Sequence, residues 1–266
     1  MKKFWGFLLV IVLMTSCGEY QSLLKSNDYN LVYKKAIEYY NKGDYQRAMN
    51  LLDGVRSVFV GQAKAQNIAY YRAFCSYNMK DYQIASDLFK QFIQTYPESS
   101  FAEECLYMMG FCDYKASPKP RLDQQVTEKA IREFQLYLSR YPYSMRKDKV
   151  NTYMDEMRDK LSYKAYLSAK NYYLREHYKA AGISLQNCLK DYPGSKYREE
   201  IMYMLFVSKY QMAVNSVEDK KVERYNNARE EYYYFADEYP NSRYAADVKK
   251  MYEDIEAYLE NYKFED

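Results

Sequence analysis

The sequence contains a single histidine and none of the motifs that usually supply catalytic or metal-binding groups. It has no glycine-rich phosphate loop, no HExxH metal motif and no serine nucleophile motif. Histidine is the side chain best suited to proton transfer near neutral pH, and His177 stands in a polar stretch typical of a turn. We therefore expect a protein that is not an enzyme and that has no metal site and no cofactor.

Glycine and proline are also scarce, and the numbers of basic and acidic residues are nearly equal. Eight glycines and six prolines in 266 residues suit helices joined by short turns. The formal net charge is +3, and a balance so close to neutral gives no reason to expect a nucleic-acid partner.

Cysteines are few, and their spacing argues against a disulfide framework. Cys105 and Cys112 are seven residues apart on one predicted helix, so about 10 Å separates their α-carbons. A disulfide needs about 7 Å or less. We expect Cys75, Cys105, Cys112 and Cys188 to be small buried residues rather than bridges or metal ligands.

The sequence has an internal repeat with fixed landmarks. An alanine recurs in five segments, and in four of them a proline follows twelve residues later inside a Tyr-Pro-x-Ser sequence. A small residue stands twelve or twenty residues before each alanine. The alanines are Ala48, Ala85, Ala130, Ala181 and Ala228; the prolines are Pro97, Pro142, Pro193 and Pro240; the small residues are Ala36, Ala73, Gly110, Ala169 and Ser208.

This spacing predicts pairs of closely packed helices. A small residue on one helix and an alanine on the next let the two backbones approach, and proline ends the second helix. The pattern resembles the tetratricopeptide repeat. We expect an all-α protein, an α-solenoid of about five tetratricopeptide-like helical pairs with a C-terminal capping helix. The pairs are predicted at about 31–62, 66–100, 101–146, 160–197 and 198–244, so that 31–146 holds repeats 1–3 and 147–266 holds repeats 4–5 and the cap.

Several segments depart from strict repetition. Lys115–Val126 is predicted to form a loop, and Ala213–Arg224 is charged enough to lengthen a helix instead. Arg146–Ser162 carries apolar residues at helical spacing and is predicted to extend the first helix of the fourth pair. The apolar stripe of Ala246–Tyr262 predicts the closing helix.

We interpret the acidic pairs of the sequence as markers of helix starts. Ser100-x-x-Glu103 has the pattern of a capping box. The pairs at 103–104, 199–200 and 230–231 are interpreted as first-turn carboxylates that offset the helix dipole rather than as catalytic acids.

The first residues are typical of a lipoprotein export signal. Lys2 and Lys3 precede a short apolar run, and Met14-Thr15-Ser16-Cys17 resembles a lipobox. We expect a signal peptide at 1–16, lipidation of Cys17, and a lipidated tether at 17–30 that attaches the chain to a membrane. An ordinary secretory signal with a coincidental cysteine is the alternative.

Tyrosine is abundant, with 35 copies, and many of them recur in register on the first helix of each pair. Residues seven apart share a helical face, so these rings form a stripe. Such a stripe, with amides beside it, suits an extended peptide; packing between helices is the equally weighted alternative. The predicted peptide-binding groove comprises Tyr33, Tyr40, Asn41, Tyr70, Phe74, Tyr77, Asn78, Tyr107, Phe111 and Tyr114.

Taken together, the lipobox, the five repeats and the Tyr-Pro-x-Ser turns resemble the BamD family of outer-membrane β-barrel assembly lipoproteins. The resemblance implies a periplasm-facing, lipid-anchored protein of the outer membrane. It also implies two partners, a BamA-like barrel protein and unfolded outer-membrane protein substrates, with substrates at the N-terminal repeats and the barrel protein at the C-terminal ones.

Two other classes fit the repeats. One is a periplasmic tetratricopeptide coordinator of envelope constriction and cell-wall synthesis, which a coiled-coil trimerisation segment would favour. The other is a glycan-binding lipoprotein, which tryptophan-rich ligand loops would favour; the single tryptophan, Trp5, lies in the predicted signal.

Overall fold

The computed structural model describes residues 18–262, and every regular element in that range is an α-helix. A short helix, α1, includes residues 18–24. The helices that follow are α2 (Tyr29–Asn41), α3 (Tyr45–Val55), α4 (Ala63–Asn78), α5 (Tyr82–Thr95), α6 (Ala102–Ala116), α7 (Gln125–Arg140), α8 (Lys147–Leu174), α9 (Tyr178–Asp191), α10 (Arg198–Val214), α11 (Glu218–Glu238) and α12 (Ala245–Tyr262). This is the predicted α-solenoid class, with five helical pairs and a closing helix.

The turns inside three hairpins share one backbone conformation. Gly43, Lys80 and Glu176 all have positive φ angles, of 81°, 69° and 60°. Each lies three residues after a tyrosine near the end of a first helix, so the repeat imposes the conformation even where the residue is not glycine. Asp44 then caps α3 by accepting a 3.2 Å hydrogen bond from the Arg47 N–H.

The small residues of the repeat lie at close helix contacts, as predicted. The five repeat alanines and the small residues Ala36, Ala73 and Ala169 are fully buried, as is Ser208. The reason for glycine at 110 is specific: a Cβ added there would lie 2.9 Å from Cδ1 of Phe134, which is itself fully buried. The α6–α7 contact is therefore too close for alanine without movement.

The Tyr-Pro-x-Ser turns are similar in all four places. The tyrosine N–H still donates to the carbonyl four residues earlier, and the serine hydroxyl accepts from the N–H two residues later. At the start of α6 the acceptor is Ser99, so the predicted capping box of Ser100 and Glu103 is wrong. The Glu103 carboxylate instead accepts from Tyr137 and Ser144, which draw it away from its own helix terminus.

The segments that depart from the repeat largely have the structures predicted from the sequence. α6 ends at Ala116 and α7 begins at Gln125, which confirms the predicted loop; α11 is lengthened to 21 residues, and α8 extends over 28. The tether prediction is wrong from residue 18 onward. Tyr20 and Leu23 are buried in the first hairpin's core, and the Tyr20 hydroxyl accepts a 3.0 Å hydrogen bond from Asn50, so this segment belongs to the packed fold.

The chain divides into two compact units inside α8. The first unit runs to Pro118 and includes Asp123–Met157, while the second contains Lys119–Leu122 and continues from Arg158. This division lies later than the predicted boundary at residue 146. The reason is that Val150, Met154 and Met157 pack into the core of the first unit. Within residues 18–262, no helix combines the length and apolarity that crossing a bilayer requires.

Candidate functional site

Aromatic side chains of the first unit form a continuous series of ring contacts, which we call the aromatic ladder. Neighbouring ring centroids are 4.4–6.3 Å apart, the range in which aromatic pairs attract. The series crosses from α2 through α4 and α6 to α8. Its members, in order of contact, are Tyr40, Tyr71, Tyr70, Phe74, Tyr77, Phe111, Tyr114 and Tyr153.

The structure brings most of the predicted groove residues together, with two exceptions. Tyr33 makes its ring contact with Phe59, at 6.1 Å between centroids, rather than with a ladder residue of the described chain. Tyr107 is buried beneath the ladder; it stacks on Phe111 at 5.6 Å and hydrogen-bonds to Tyr153. The ladder rings themselves are half-buried, so each packs on its neighbours and still presents part of its surface.

The two predicted amides differ in how available they are. Asn41 is exposed at the end of α2. Asn78 is half-buried, and its side-chain nitrogen lies 3.5 Å from the Tyr40 hydroxyl, to which it donates a long hydrogen bond. Asn41 is thus the more accessible of the two amides.

Carboxylates fix the polar ends of two ladder tyrosines. The Tyr70 hydroxyl donates to Glu104 at 2.8 Å, and the Tyr114 hydroxyl donates to Glu156 at 2.5 Å. The bond to Glu156, helped by burial, raises the pKa of Tyr114 to about 12. Burial raises the pKa of Tyr40 to about 12 as well, so these rings are uncharged at neutral pH.

The acidic pairs have mostly structural partners. Glu103 and Glu104 lie in the first turn of α6, and Glu199 and Glu200 in that of α10, as the dipole interpretation expects. Glu200 is bound at 2.7 Å by Lys170. The interpretation is wrong for Glu230 and Glu231, which lie in the middle of α11 because that helix begins earlier, at Glu218.

Sequence reasoning missed several aromatic residues. Tyr153 stacks on Tyr114 at 4.4 Å, but it stands eleven residues after Pro142, where the other repeats have Met108, Met204 and Met251, so the tyrosine periodicity did not indicate it. Tyr203 and Tyr210 were missed for a different reason. They stand ten and seventeen residues after Pro193, as Tyr107 and Tyr114 do after Pro97, and counting from the prolines would have found them.

The second unit has a separate aromatic cleft of about 740 Å³. Tyr166 stacks on Tyr197 with centroids 4.4 Å apart, and Tyr163 on Tyr197 at 5.3 Å. Lys170 lies at its edge and donates to the Tyr166 hydroxyl at 2.8 Å as well as to Glu200.

The remaining candidate groups are structural. Cys75, Cys105, Cys112 and Cys188 are free and buried, as predicted. Burial raises the pKa of the thiols of Cys75 and Cys105 to about 12, so they are unreactive. His177 precedes α9 in the inter-helix turn, as expected. Cys17 and the predicted signal peptide lie outside the described residues.

These features define a tetratricopeptide-like helical scaffold with an aromatic ladder along its first unit. The chain belongs to the YfiO family of outer membrane lipoproteins, whose model matches residues 25–198 and 164–265. No curated protein matches the chain.

Similar solved structures are distant in sequence. One is a tetratricopeptide-repeat protein (BF2334) from Bacteroides fragilis, at 13% identity and a TM-score of 0.42 over 87% of this chain and 99% of that one. Another is the TPR2AB domain of yeast Sti1 in its pHSP90 complex, at 14% identity and a TM-score of 0.39 over 86% of this chain and 98% of that one. A third is the human IFIT1 dimer with PPP-AAAA, at 17% identity and a TM-score of 0.31 over 94% of this chain and 63% of that one.

Proposed function

We propose that this chain is a lipid-anchored, periplasm-facing scaffold of outer-membrane β-barrel assembly. In this role it docks on a BamA-like barrel protein and receives segments of unfolded outer-membrane proteins. Membership of an outer membrane lipoprotein family supports the location. The single observation that carries the binding role is the aromatic ladder, which runs from α2 to α8 within the first unit.

The ladder suits an extended peptide for physical reasons. Half-buried rings, already held by their neighbours, lose little conformational entropy when a ligand covers them. Barrel strands alternate apolar and polar residues, so every second side chain of such a segment has a ring to pack against. The exposed amide of Asn41 offers both a donor and an acceptor to a peptide backbone.

Attachment to the membrane is assigned to Cys17. Replacing it with alanine is expected to abolish metabolic labelling with palmitate and to leave the protein soluble or uncleaved. Labelling that persists in Cys17→Ala would contradict the assignment.

Partner docking is tested on the native, detergent-solubilised protein. Affinity purification is expected to recover the BamA-like barrel protein in stoichiometric amount, and depletion of this chain is expected to lower the amount of folded barrels in the outer membrane. Unchanged barrel levels after depletion, with no barrel protein recovered, would exclude the assembly role.

A further inference from the structure

The turn between α7 and α8 exposes two large apolar side chains. Tyr143 and Met145 have 98% and 102% of their reference surface exposed. Among the other large hydrophobic residues within 18–262, the next most exposed is Val60 at 73%. Such exposure has a cost in solubility, so it calls for an explanation.

The fold does not require these two residues. All four Tyr-Pro-x-Ser turns close with the same hydrogen bond from the serine N–H to the tyrosine carbonyl, at 3.0–3.2 Å. The other three turns do so with polar residues or glycine. In place of Tyr143 they have Glu98, Gly194 and Asn241, and in place of Met145 they have Ser100, Lys196 and Arg243.

The apolar pair is presented from a rigid platform. Ser144, between the two residues, donates to Glu103 at 2.7 Å and lies 2.5 Å from the Tyr137 hydroxyl. Tyr137 is fully buried, so the turn is fixed to the core of the first unit. A partner that covers this turn therefore does not have to order its backbone.

Basic residues follow the pair in sequence. Lys147 and Lys149 are exposed in the first turn of α8, where a positive charge is unfavourable to the helix dipole. Counted from the prolines, Lys149 stands where the other three helices have Glu104, Glu200 and Asp247. Asp148 is the acidic residue of that turn. This turn therefore differs from its three equivalents in both apolarity and charge.

We infer that residues 143–149 form a docking tip for a folded protein that presents an apolar pocket with an acidic rim. Tyrosine and methionine are enriched in protein interfaces, and the flanking lysines supply charge complementarity. Two apolar side chains bury too little surface to hold a protein on a bilayer, which favours a protein pocket over a lipid surface. The inference rests on the proposed function in one respect: the probe is the periplasmic region of the BamA-like barrel protein.

The experiment measures affinity of the full mature chain for that periplasmic region by biolayer interferometry. Tyr143→Asn/Met145→Arg gives this turn the residues found in the Tyr-Pro-x-Ser turn at Pro240. It is expected to weaken binding at least about tenfold. Lys147→Glu/Lys149→Glu is expected to weaken binding and to reduce its dependence on salt. Val60→Asn/Val217→Asn, which changes two other exposed apolar residues, is the control and is expected to leave affinity within about twofold.

The outcomes separate the two proposals. Melting temperatures should not fall in any variant, because the substituted side chains are exposed. Lys147→Glu/Lys149→Glu and Val217→Asn place favourable residues at helix N-termini and should raise them slightly. If the wild type binds and the two tip variants bind with the same affinity, the docking tip is overturned and the proposed function stands. Absence of wild-type binding overturns both. Binding of the wild type to anionic vesicles, lost in the tip variants while binding to the periplasmic region is kept, assigns the tip to lipid and overturns the inference.

Discussion

The Ser144 hydroxyl donates a 2.7 Å hydrogen bond to the Glu103 carboxylate across 41 residues of sequence. The same link recurs in the second unit, where Ser242 donates to Glu199 at 2.6 Å across 43 residues. In both places the serine of a Tyr-Pro-x-Ser turn is tied to the first helix of the hairpin that the turn ends. Hydrogen bonds to charged groups are among the stronger ones, at about 1.5–3 kcal/mol.

The first prediction concerns this link. Ser144→Ala is expected to lower the free energy of unfolding by roughly 1–2 kcal/mol, because it leaves Glu103 with one fewer donor. Ser99→Ala is the matched control, since the Ser99 hydroxyl accepts from the Phe101 N–H and donates to no such carboxylate in the described chain. Urea unfolding measures both variants. Equal losses for the two would mean that the carboxylate adds nothing.

The second prediction uses two helical glycines. Gly54→Ala in α3 is expected to stabilise the protein by about 0.5–1 kcal/mol, because nothing lies within 4 Å of the added Cβ and alanine favours helix. Gly110→Ala gains the same helix propensity but drives its Cβ to 2.9 Å from Phe134. Overpacking costs about 1–3 kcal/mol, so the net effect is destabilising. Thermal melts of both variants test this; a stabilised Gly110→Ala would show that α6 and α7 separate easily.

How much the sequence predicts depends on whether a feature repeats. The alanines and Gly110 were found because close packing recurs at a fixed spacing, and the ladder residues Tyr70 and Tyr77 were found for the same reason. The packing of Tyr20 and the contact of Tyr153 with Tyr114 occur once each. They join segments distant in sequence, and no local pattern encodes such a contact.

A buried charged cluster in the first unit also escaped sequence reasoning. Lys129 lies 2.8 Å from Asp113, 3.7 Å from Glu133 and 3.8 Å from Asp87, and Ser86 donates to Asp113 at 3.0 Å. Asp113 and Glu133 are buried, and Oε2 of Glu133 has no hydrogen-bond partner. Burial, with the nearby Asp113 carboxylate, raises the pKa of Glu133 to about 8.

The third prediction follows from that pKa. Between about pH 4.5 and pH 8 the folded state holds a proton on Glu133 that the unfolded state releases, so stability falls as the pH rises through this window. Glu133→Gln keeps the side chain neutral and is expected to flatten the dependence, becoming more stable than wild type by on the order of 1–3 kcal/mol at pH 9. Urea midpoints at pH 5.5, 7 and 9 measure this. Parallel pH profiles for the two proteins would show that Glu133 is ionised throughout.

The most direct test of the ladder as a binding surface compares two tyrosines at the same repeat position. Tyr77 belongs to the ladder and contacts Tyr82 at 5.9 Å; Tyr173, in the second unit, contacts Tyr178 at 6.4 Å in the equivalent way. Tyr77→Ala also removes the ring contacts with Phe74 and Phe111 at 6.3 and 6.2 Å, so the stability of both variants is measured beside their affinity. A labelled peptide from the C-terminal strand of an outer-membrane barrel protein is titrated against wild type, Tyr77→Ala and Tyr173→Ala after each is confirmed to be folded.

Tyr77→Ala is expected to weaken peptide binding by roughly 1–3 kcal/mol, about tenfold or more, because a ring at the centre of the contact is lost. Tyr173→Ala is expected to bind like wild type, and neither affinity should depend strongly on salt, since the ladder is uncharged. Equal affinity of Tyr77→Ala and wild type would contradict the account and make the ladder a packing feature alone.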